Sequence, residues 1–234
     1  MLKKYYFTAS KFYNLDKTGI SSVMRSVKVV STKGKKQVGQ VVSGERGELV
    51  TFVGIINAAG GTVPPVYIFP RICNSEEYLG DGVQESLVFE NKHGWMTSDL
   101  FSKVLKHIMH HTKCSLEDRI LLLVDNHESH ISVQSIQFCR ENGISLLSFP
   151  PHTTHRLQPL DVGIYGPFKN ALSIASNDWM LLHPGRLTTI RNIGQLSDKA
   201  YSSAFTIKNI TSSFKAPGIW PINRPAFSDD DLAQ

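Results

Sequence analysis

The segment Ile120-Leu121-Leu122-Leu123-Val124-Asp125 joins an uninterrupted aliphatic run to a carboxylate. Five consecutive aliphatic residues predict a strand that is buried on both faces of a sheet. A carboxylate at the mouth of such a strand is costly to bury unless a cation pairs with it. Taken alone, Asp125 would be interpreted as a turn residue at a strand end. A metal ligand is the alternative, and support for it must come from other segments.

Two further aspartates lie in sequence settings that suit the same alternative. Asp161 follows the proline-rich segment 150–160, and Asp16 precedes the turn-like sequence Lys17-Thr18-Gly19. By themselves, Asp161 could be a helix N-cap and Asp16 a turn residue. Three carboxylates brought together would repel one another without a cation. A pair of Mg²⁺ or Mn²⁺ ions held by carboxylates removes that repulsion and is a common apparatus for phosphodiester chemistry.

Composition narrows the class of protein. The chain has 234 residues, of which 41% are hydrophobic and 19% charged, as in an ordinary globular core. The formal net charge of +5 is compatible with a nucleic-acid partner. The widely spaced Cys73, Cys114 and Cys139 include no CxxC pair, which argues against a disulfide framework and a zinc ribbon. Because no apolar run approaches about 18 residues, no membrane-spanning helix is predicted.

Apolar periodicity predicts strands first and then strands alternating with helices. The predicted strands are Phe12–Leu15, Leu49–Asn57, Val66–Phe69, Ile120–Val124 and Ile144–Phe149. The predicted helices cover about 97–109, 132–141, 160–182 and 196–214, and residues 70–96 are expected to be irregular. This order predicts an α/β fold with a mixed five-stranded sheet flanked by helices. If the first and fourth strands are neighbours, Asp16 and Asp125 converge at the strand ends, and Asp161 reaches them from a helix.

Basic and histidine-rich segments are the other candidate functional features. The candidates for phosphate contacts are Arg25, Lys28, Lys33, Lys35, Lys36 and, two helical turns after Asp161, Lys169. A solvated hairpin is the alternative for the stretch from Arg25 to Lys36. The HxxH pairs at 127–130 and 152–155 have no cysteine nearby, so hydrogen bonds that order loops are favoured over a zinc site.

The chain resembles the DDE superfamily endonuclease domain of pogo-like transposases, in the mariner superfamily, with its Tigger, jerky and centromere protein B relatives. The resemblance covers nearly the whole chain and follows an ordered set of motifs. These motifs lie at 13–19, 44–47, 57–60, 64–70, 94–96, 123–127, 150–161 and 218–221. It implies a ribonuclease H-like fold, with residues 1–195 as the catalytic domain and residues 196–234 as the C-terminal helix and tail of that domain.

The same resemblance implies an activity and a site. The family's three acidic ligands correspond to Asp16, Asp125 and Asp161, which would hold two Mg²⁺ or Mn²⁺ ions. The implied reactions are DNA strand hydrolysis and strand transfer, so DNA is the expected partner and the nucleus the expected location. A homo-oligomer assembled on DNA is left open by the resemblance.

Two departures from the family pattern bear on activity. The family usually has Glu after the first catalytic Asp, where this chain has Lys17. An ammonium at that position could weaken metal binding or pair with a phosphate. Family members also carry N-terminal helix-turn-helix modules, whereas this chain begins almost at the first catalytic strand. The alternative function is therefore a domesticated, catalytically inactive nucleic-acid-binding protein on the same fold.

Overall fold

The computed structural model describes residues 7–22, 48–70, 75–151, 153–223 and 226, and within them a mixed sheet has helices on both faces. The sheet has six strands in the order β4-β3-β2-β1-β5-β6. The strands are β1 Phe12–Ser21, β2 Leu49–Asn57, β3 Thr62–Pro70, β4 Leu87–Asn91, β5 Ile120–Val124 and β6 Ile144–Ser148. Strand β2 is antiparallel to both of its neighbours, and the β1–β5, β5–β6 and β3–β4 pairs are parallel.

The longer helices agree with the apolar periodicity, with one break, whereas the short helices at Ser75–Leu79 and Thr154–Leu157 were not predicted. The helices are α1 Ser75–Leu79, α2 Ser98–Thr112, α3 Val133–Glu141, α4 Thr154–Leu157, a π-helix at Leu160–Ile164, α5 Tyr165–Leu182, α6 Ile193–Ala204 and α7 Ile207–Lys215. The helix predicted over 196–214 is wrong as one element, because the chain breaks between α6 and α7. The Thr206 side chain accepts a hydrogen bond from Asn209 N and caps α7, which gives the second helix its own start.

The prediction of five strands is wrong by one strand. Strand β4 lies in the segment that was expected to be irregular and forms one edge of the sheet, paired in parallel with β3. It is only five residues long and half-buried, and Leu87-Val88-Phe89 is its sole apolar run. Such a short run carries too little periodicity to distinguish a strand from a loop. Backbone pairing with β3 therefore decides its structure.

Strand β1 continues past the predicted turn. Thr18 and Gly19 pair with Phe52 and Thr51 of β2, and the pairing runs on to Ser21. Asp16 therefore lies inside the strand, which corrects the expectation that it would end or flank it. A Cβ on Gly19 would lie 2.9 Å from Leu49 Cδ1, so glycine serves here in close packing rather than in a turn.

Two hydrophobic cores cover the two faces of the sheet. Alternate residues such as Phe12 and Leu123 pack with α5, α6 and α7 on one face. The residues between them, such as Leu15 and Leu122, pack with α2 and α3 on the other. The segment predicted as the C-terminal helix and tail contributes Phe214 and its neighbours to the first core. We call this first side the α5 face; the candidate site lies on it.

Candidate active site

Asp16 and Asp125 lie side by side on neighbouring strands. The parallel register of β1 and β5 pairs Phe12 with Leu121 and Asn14 with Leu123. Continued by two residues, the same register brings Asp16 opposite Asp125, which directly follows the end of β5. Since side chains alternate across a strand, both carboxylates project from the same face as Phe12 and Leu121, which is the α5 face.

Asp161 approaches from the helical layer that covers this face. It is the second residue of the π-helix Leu160–Ile164, which runs directly into α5. π-Turns inside helices are frequent at functional sites. The turn packs closely on α7, because a Cβ on Gly163 would lie 2.7 Å from Ser213 Cβ. A larger residue at 163 would push the segment that carries Asp161 away from α7.

Two buried side chains join the Asp161 segment to β1. The Gln158 Nε2 donates to the main-chain oxygen of Leu15 at 3.0 Å. The main-chain N–H of Leu160 donates to Asn14 Oδ1 at 3.1 Å. Gln158 and Asn14 are both fully buried, so each contact replaces water that the backbone group has lost on folding. These contacts fix the start of the helical layer relative to the strand that carries Asp16.

A third contact comes from Tyr165, whose hydroxyl bridges β1 and β2. The hydroxyl donates to the main-chain oxygen of Asp16 at 2.5 Å and accepts from the N–H of Gly54 at 3.2 Å. Asp16 and Gly54 are paired residues of the two strands, so the hydroxyl stands across that pair. A Cβ on Gly54 would lie 3.1 Å from the hydroxyl and 3.0 Å from Leu160 Cδ2, so glycine leaves the room that both groups occupy.

The carboxyl groups of Asp16 and Asp161 interact directly. Burial raises the pKa of Asp16 well above its usual value, and the charge of Asp161 raises it further. Burial also raises the pKa of Asp161 against the opposing effect of Lys169, and its carboxyl hydrogen-bonds to Asp16. Asp161 is solvent-exposed whereas Asp16 is 5% exposed. Water therefore screens the neighbouring charges more at Asp161, and the rise in its pKa is smaller than the burial of Asp16 would give. Without a cation, these two groups therefore favour sharing a proton.

Asp125 differs from the other two because its pKa is lowered rather than raised. Burial would raise its pKa, but contacts with His130 and the charge of Lys17 outweigh burial and lower it. The Nδ1 of His130 lies 2.5 Å from Asp125 Oδ1, and the N–H of His127 donates to the same oxygen at 3.2 Å. Asp125 is therefore held as a carboxylate by the loop that follows β5.

The HxxH pair at 127–130 orders this loop, as the sequence favoured. His127 Nδ1 lies 2.8 Å from Ser129 Oγ, and His130 pairs with Asp125. In the second pair, His152 lies outside the described residues. No zinc-like arrangement surrounds His127 or His130 among the residues that the structure describes.

Lys17 lies close enough to Asp16 and Asp125 for their charges to act on it. Among the described residues, its Nζ is buried and makes no hydrogen bond. Burial lowers the pKa of Lys17, while the charges of Asp125 and Asp16 oppose that change. The ammonium therefore contributes positive charge next to two of the three candidate ligands.

The donor set fits a hard divalent cation, although it is not assembled as a closed cage. Three carboxylates supply oxygen ligands of the kind that Mg²⁺ and Mn²⁺ prefer. Their mutual effects on pKa place Asp16, Asp125 and Asp161 within electrostatic reach of one another. As the side chains lie, no group of three His, Cys, Asp or Glu in the described ranges has the arrangement of a metal site. The Asp125 carboxylate instead pairs with His130.

The candidate DNA contacts are only partly within the described chain. Arg25, Lys28, Lys33, Lys35 and Lys36 lie outside the described residues, so their contacts with phosphate stay a prediction. Lys169 is described: it is exposed on α5, and its charge acts on Asp161. It therefore lies within electrostatic reach of Asp161, and its contact with phosphate stays a prediction.

Sequence reasoning missed the roles of Asn14 and Tyr165. Asn14 is buried and lies two residues before Asp16, so the two polar residues share one face of β1. The two-residue spacing of Asn14 and Asp16 was the feature of the sequence that could have indicated this role. The contacts of Tyr165 had no such signal, because its partners are 111 and 149 positions away in sequence.

Comparison with known proteins gives matches in both sequence and structure. Residues 53–214 match a family model described as DDE superfamily endonuclease, a range that contains Asp125 and Asp161 and begins after Asp16. The chain is 31% identical over 223 residues to the MFS-type transporter clz9 of Cochliobolus lunatus, covering 94% of this chain and 24% of that protein. It is 24% identical over 178 residues to the mouse Pogo transposable element with KRAB domain, covering 75% of this chain and 28% of that protein.

The chain thus spans about a quarter of the length of these curated relatives. The transporter name belongs to a protein of which most lies outside the matched part. In the described part of this chain, no helix is both long and apolar enough to cross a membrane.

Solved structures show the same fold. The Mos1 mariner paired-end complex with Mn matches at a TM-score of 0.57 and 12% identity, covering 94% of this chain and 56% of that chain. The pre-cleavage Mos1 transpososome matches at a TM-score of 0.55 and 12% identity, with the same coverage. The expected ribonuclease H-like fold of transposase catalytic domains is therefore confirmed, with a six-stranded sheet.

Proposed function

The chain belongs to the DDE superfamily endonuclease family, and from that premise we propose that it is the metal-dependent DNA endonuclease and strand-transfer domain of a pogo-like transposase. The proposal is supported by three carboxylates from separate segments that lie within electrostatic reach of one another. Asp16 and Asp125 come from adjacent parallel strands, and Asp161 comes from the helical layer above them. Asp16 and Asp161 repel one another when both are ionised, and a divalent cation would remove that repulsion.

Asp16, Asp125 and Asp161 would hold two Mg²⁺ or Mn²⁺ ions, with Asp16 shared between them. When bound, such ions supply an activated oxygen nucleophile and stabilise the leaving oxygen of an in-line displacement. Asp16 would be anchored by the hydrogen bond from Tyr165 to its own main-chain oxygen. His130 would orient the Asp125 carboxylate, as residues behind metal ligands commonly do. Lys169, beside Asp161, would attract the phosphate backbone.

DNA is the proposed partner. Support comes from the matched Mos1 complexes, whose names describe a transpososome and a paired-end complex, and from the basic stretch between Arg25 and Lys36. Assembly as a homo-oligomer on DNA and a nuclear location belong to the same proposal. Fluorescence microscopy of the tagged chain tests the location, and exclusion of the tagged chain from the nucleus would contradict it.

A catalytically inactive nucleic-acid-binding protein is the second candidate, and one observation favours it. The buried ammonium of Lys17 lies near Asp125 and Asp16 and competes with a divalent cation for their negative charge. This candidate predicts DNA binding without metal-dependent cleavage.

Nicking of a supercoiled plasmid in Mn²⁺ or Mg²⁺ separates the two candidates. The parent should convert supercoiled to open-circular DNA, and EDTA should abolish the conversion. Asp161→Asn should lose at least 100-fold in rate, a loss on the scale of removing one principal electrostatic contributor. The matched control Asp178→Asn makes the same change at an exposed position of α5 and should keep the parent rate. DNA binding by a parent that never nicks in either metal would favour the inactive candidate.

A further inference from the structure

Asn14 is a fully buried polar residue of β1 whose side chain contacts two segments that are remote in sequence. Its Nδ2 donates to the main-chain oxygen of Leu123 at 3.2 Å, and its Oδ1 accepts from the N–H of Leu160 at 3.1 Å. Leu123 lies two residues before Asp125, and Leu160 directly precedes Asp161. The Asn14 carboxamide therefore connects β1, which carries Asp16, to the two segments that carry the other candidate ligands, Asp125 and Asp161.

The contact with Leu160 supplies a helix cap that the local sequence lacks. The first N–H groups of a helix have no acceptor within it. The residue before the π-helix is Pro159, and it makes no side-chain capping hydrogen bond. Asn14 accepts the N–H of Leu160 from 146 positions away in sequence. The start of the Asp161 segment is thus capped by the sheet rather than by its own chain neighbours.

The two contacts together require a carboxamide. The oxygen of Leu123 needs a donor and the N–H of Leu160 needs an acceptor, and these main-chain partners fix which end of the amide is nitrogen. Asn offers both on one short planar group. Asp lacks the donor, and Leu, which has a similar shape, lacks both. An apolar residue would fill the space but remove both hydrogen bonds.

We propose that Asn14 is a positioning residue for the candidate metal site. It fixes the separation between the β5 segment that carries Asp125 and the π-helix that carries Asp161, and so it determines how tightly a divalent cation binds between them. The part of this proposal that concerns the cation rests on the proposed function. The part that concerns the position of Leu160 does not depend on any cation.

Amide hydrogen exchange at Leu160 in the metal-free protein tests the positional part. Asn14→Leu removes both hydrogen bonds. If that variant fails to fold, Asn14→Ser takes its place, because its smaller polar side chain leaves room for a water. The control Tyr67→Phe removes the buried hydroxyl that lies 2.9 Å from Ser197 Oγ, on the sheet but between β3 and α6. In the Asn14 variants, the exchange rate at Leu160 should rise at least tenfold more than the exchange rates of the slowest core amides do. In the control, the exchange rate at Leu160 should change only as much as those of the slowest core amides.

Mn²⁺ titration of the same proteins tests the part that concerns the cation. The Asn14 variants should bind Mn²⁺ about tenfold more weakly, and Tyr67→Phe should stay within about twofold of the parent. The proposal is overturned if Leu160 exchange follows global stability in every variant, or if exchange rises while Mn²⁺ affinity stays unchanged. A parent that binds no Mn²⁺ would contradict the proposed function, and Leu160 exchange alone would then decide whether Asn14 positions this segment.

Discussion

The hydroxyl of Tyr165 lies 2.5 Å from the main-chain oxygen of Asp16 and donates a hydrogen bond to it. The same hydroxyl accepts from Gly54 on the adjacent strand, so one side chain of α5 is tied to both strands beneath it. Burial raises the pKa of Tyr165 well above its usual value, and the phenol therefore remains a neutral donor. The backbone that carries the most buried candidate ligand is thus fixed by the helix that begins just after Asp161.

Tyr165→Phe should lower the free energy of unfolding by about 1–3 kcal/mol, because it leaves two buried backbone groups without this partner. Tyr67→Phe should cost less, since Ser197 Oγ keeps its hydrogen bond to the Gly194 oxygen. Urea denaturation of both variants and the parent provides the measurement. Equal midpoints for Tyr165→Phe and the parent would show that the bridge contributes no stability.

Asp16→Asn should stabilise the metal-free protein at neutral pH. The folded-state pKa of Asp16 lies above its unfolded value, so its contribution to stability is complete below about pH 4. That contribution is lost as the pH rises through the folded pKa. The variant should therefore be more stable than the parent at pH 7, by a difference that grows as the pH rises from 4.

Denaturation in EDTA at pH 4 and pH 7 checks this dependence. The gain of Asp16→Asn over the parent should vanish at the lower pH, and Asp178→Asn should show no such difference. Asp125→Asn should not stabilise the protein, because contacts with His130 and Lys17 lower the pKa of Asp125 despite its burial. A pH-independent gain for Asp16→Asn would mean that packing, rather than charge, is responsible.

Lys17→Glu should tighten Mn²⁺ binding by about tenfold or more, because it removes a cation and adds a carboxylate beside Asp16 and Asp125. The neutral Lys17→Met separates the two effects and should give a smaller gain without loss of stability, since the buried Nζ makes no hydrogen bond among the described residues. Isothermal titration with Mn²⁺ measures all three proteins. Equal affinities would mean that Lys17 does not act on the candidate site.

Removing a cation from the basic stretch should weaken the salt dependence of DNA binding. If Lys35 contacts a phosphate, Lys35→Ala should lower the slope of log K against log salt by about 0.9 in magnitude. Lys106→Ala, at an exposed position of α2 on the opposite face of the sheet, serves as the control. An unchanged slope for each lysine in the stretch would favour the solvated hairpin.

The sequence predicted the parts of the fold that depend on local patterns. The run Ile120–Val124 is the buried strand β5, and the helix predicted over about 97–109 is α2, which Thr97 caps by accepting from Leu100 N. Two-residue alternation on β1 and β5 also accounts for the common face of Asp16 and Asp125. The common face of the two aspartates follows from this alternation once the two strands are known to be parallel neighbours.

Contacts between distant segments could not be predicted in this way. The partners of Asn14 are 109 and 146 positions away, and nothing local to Asn14 indicates which backbone groups it meets. The position of Asp16 inside β1 was missed because Thr18-Gly19 has the sequence of a turn, whereas pairing with β2 extends the strand. Strand β4 was missed for the same reason: its structure depends on β3, not on its own five residues.

The binding of divalent metal by Asp16, Asp125 and Asp161 is tested most directly by the anomalous scattering of Mn²⁺ in crystals of this chain grown or soaked with the ion. We predict two peaks about 4 Å apart, bounded by the carboxylates of Asp16, Asp125 and Asp161. In Asp125→Asn crystals, at least one peak should disappear. Ordered crystals with saturating Mn²⁺ and no peak among these three carboxylates, or with peaks only elsewhere, would contradict the account.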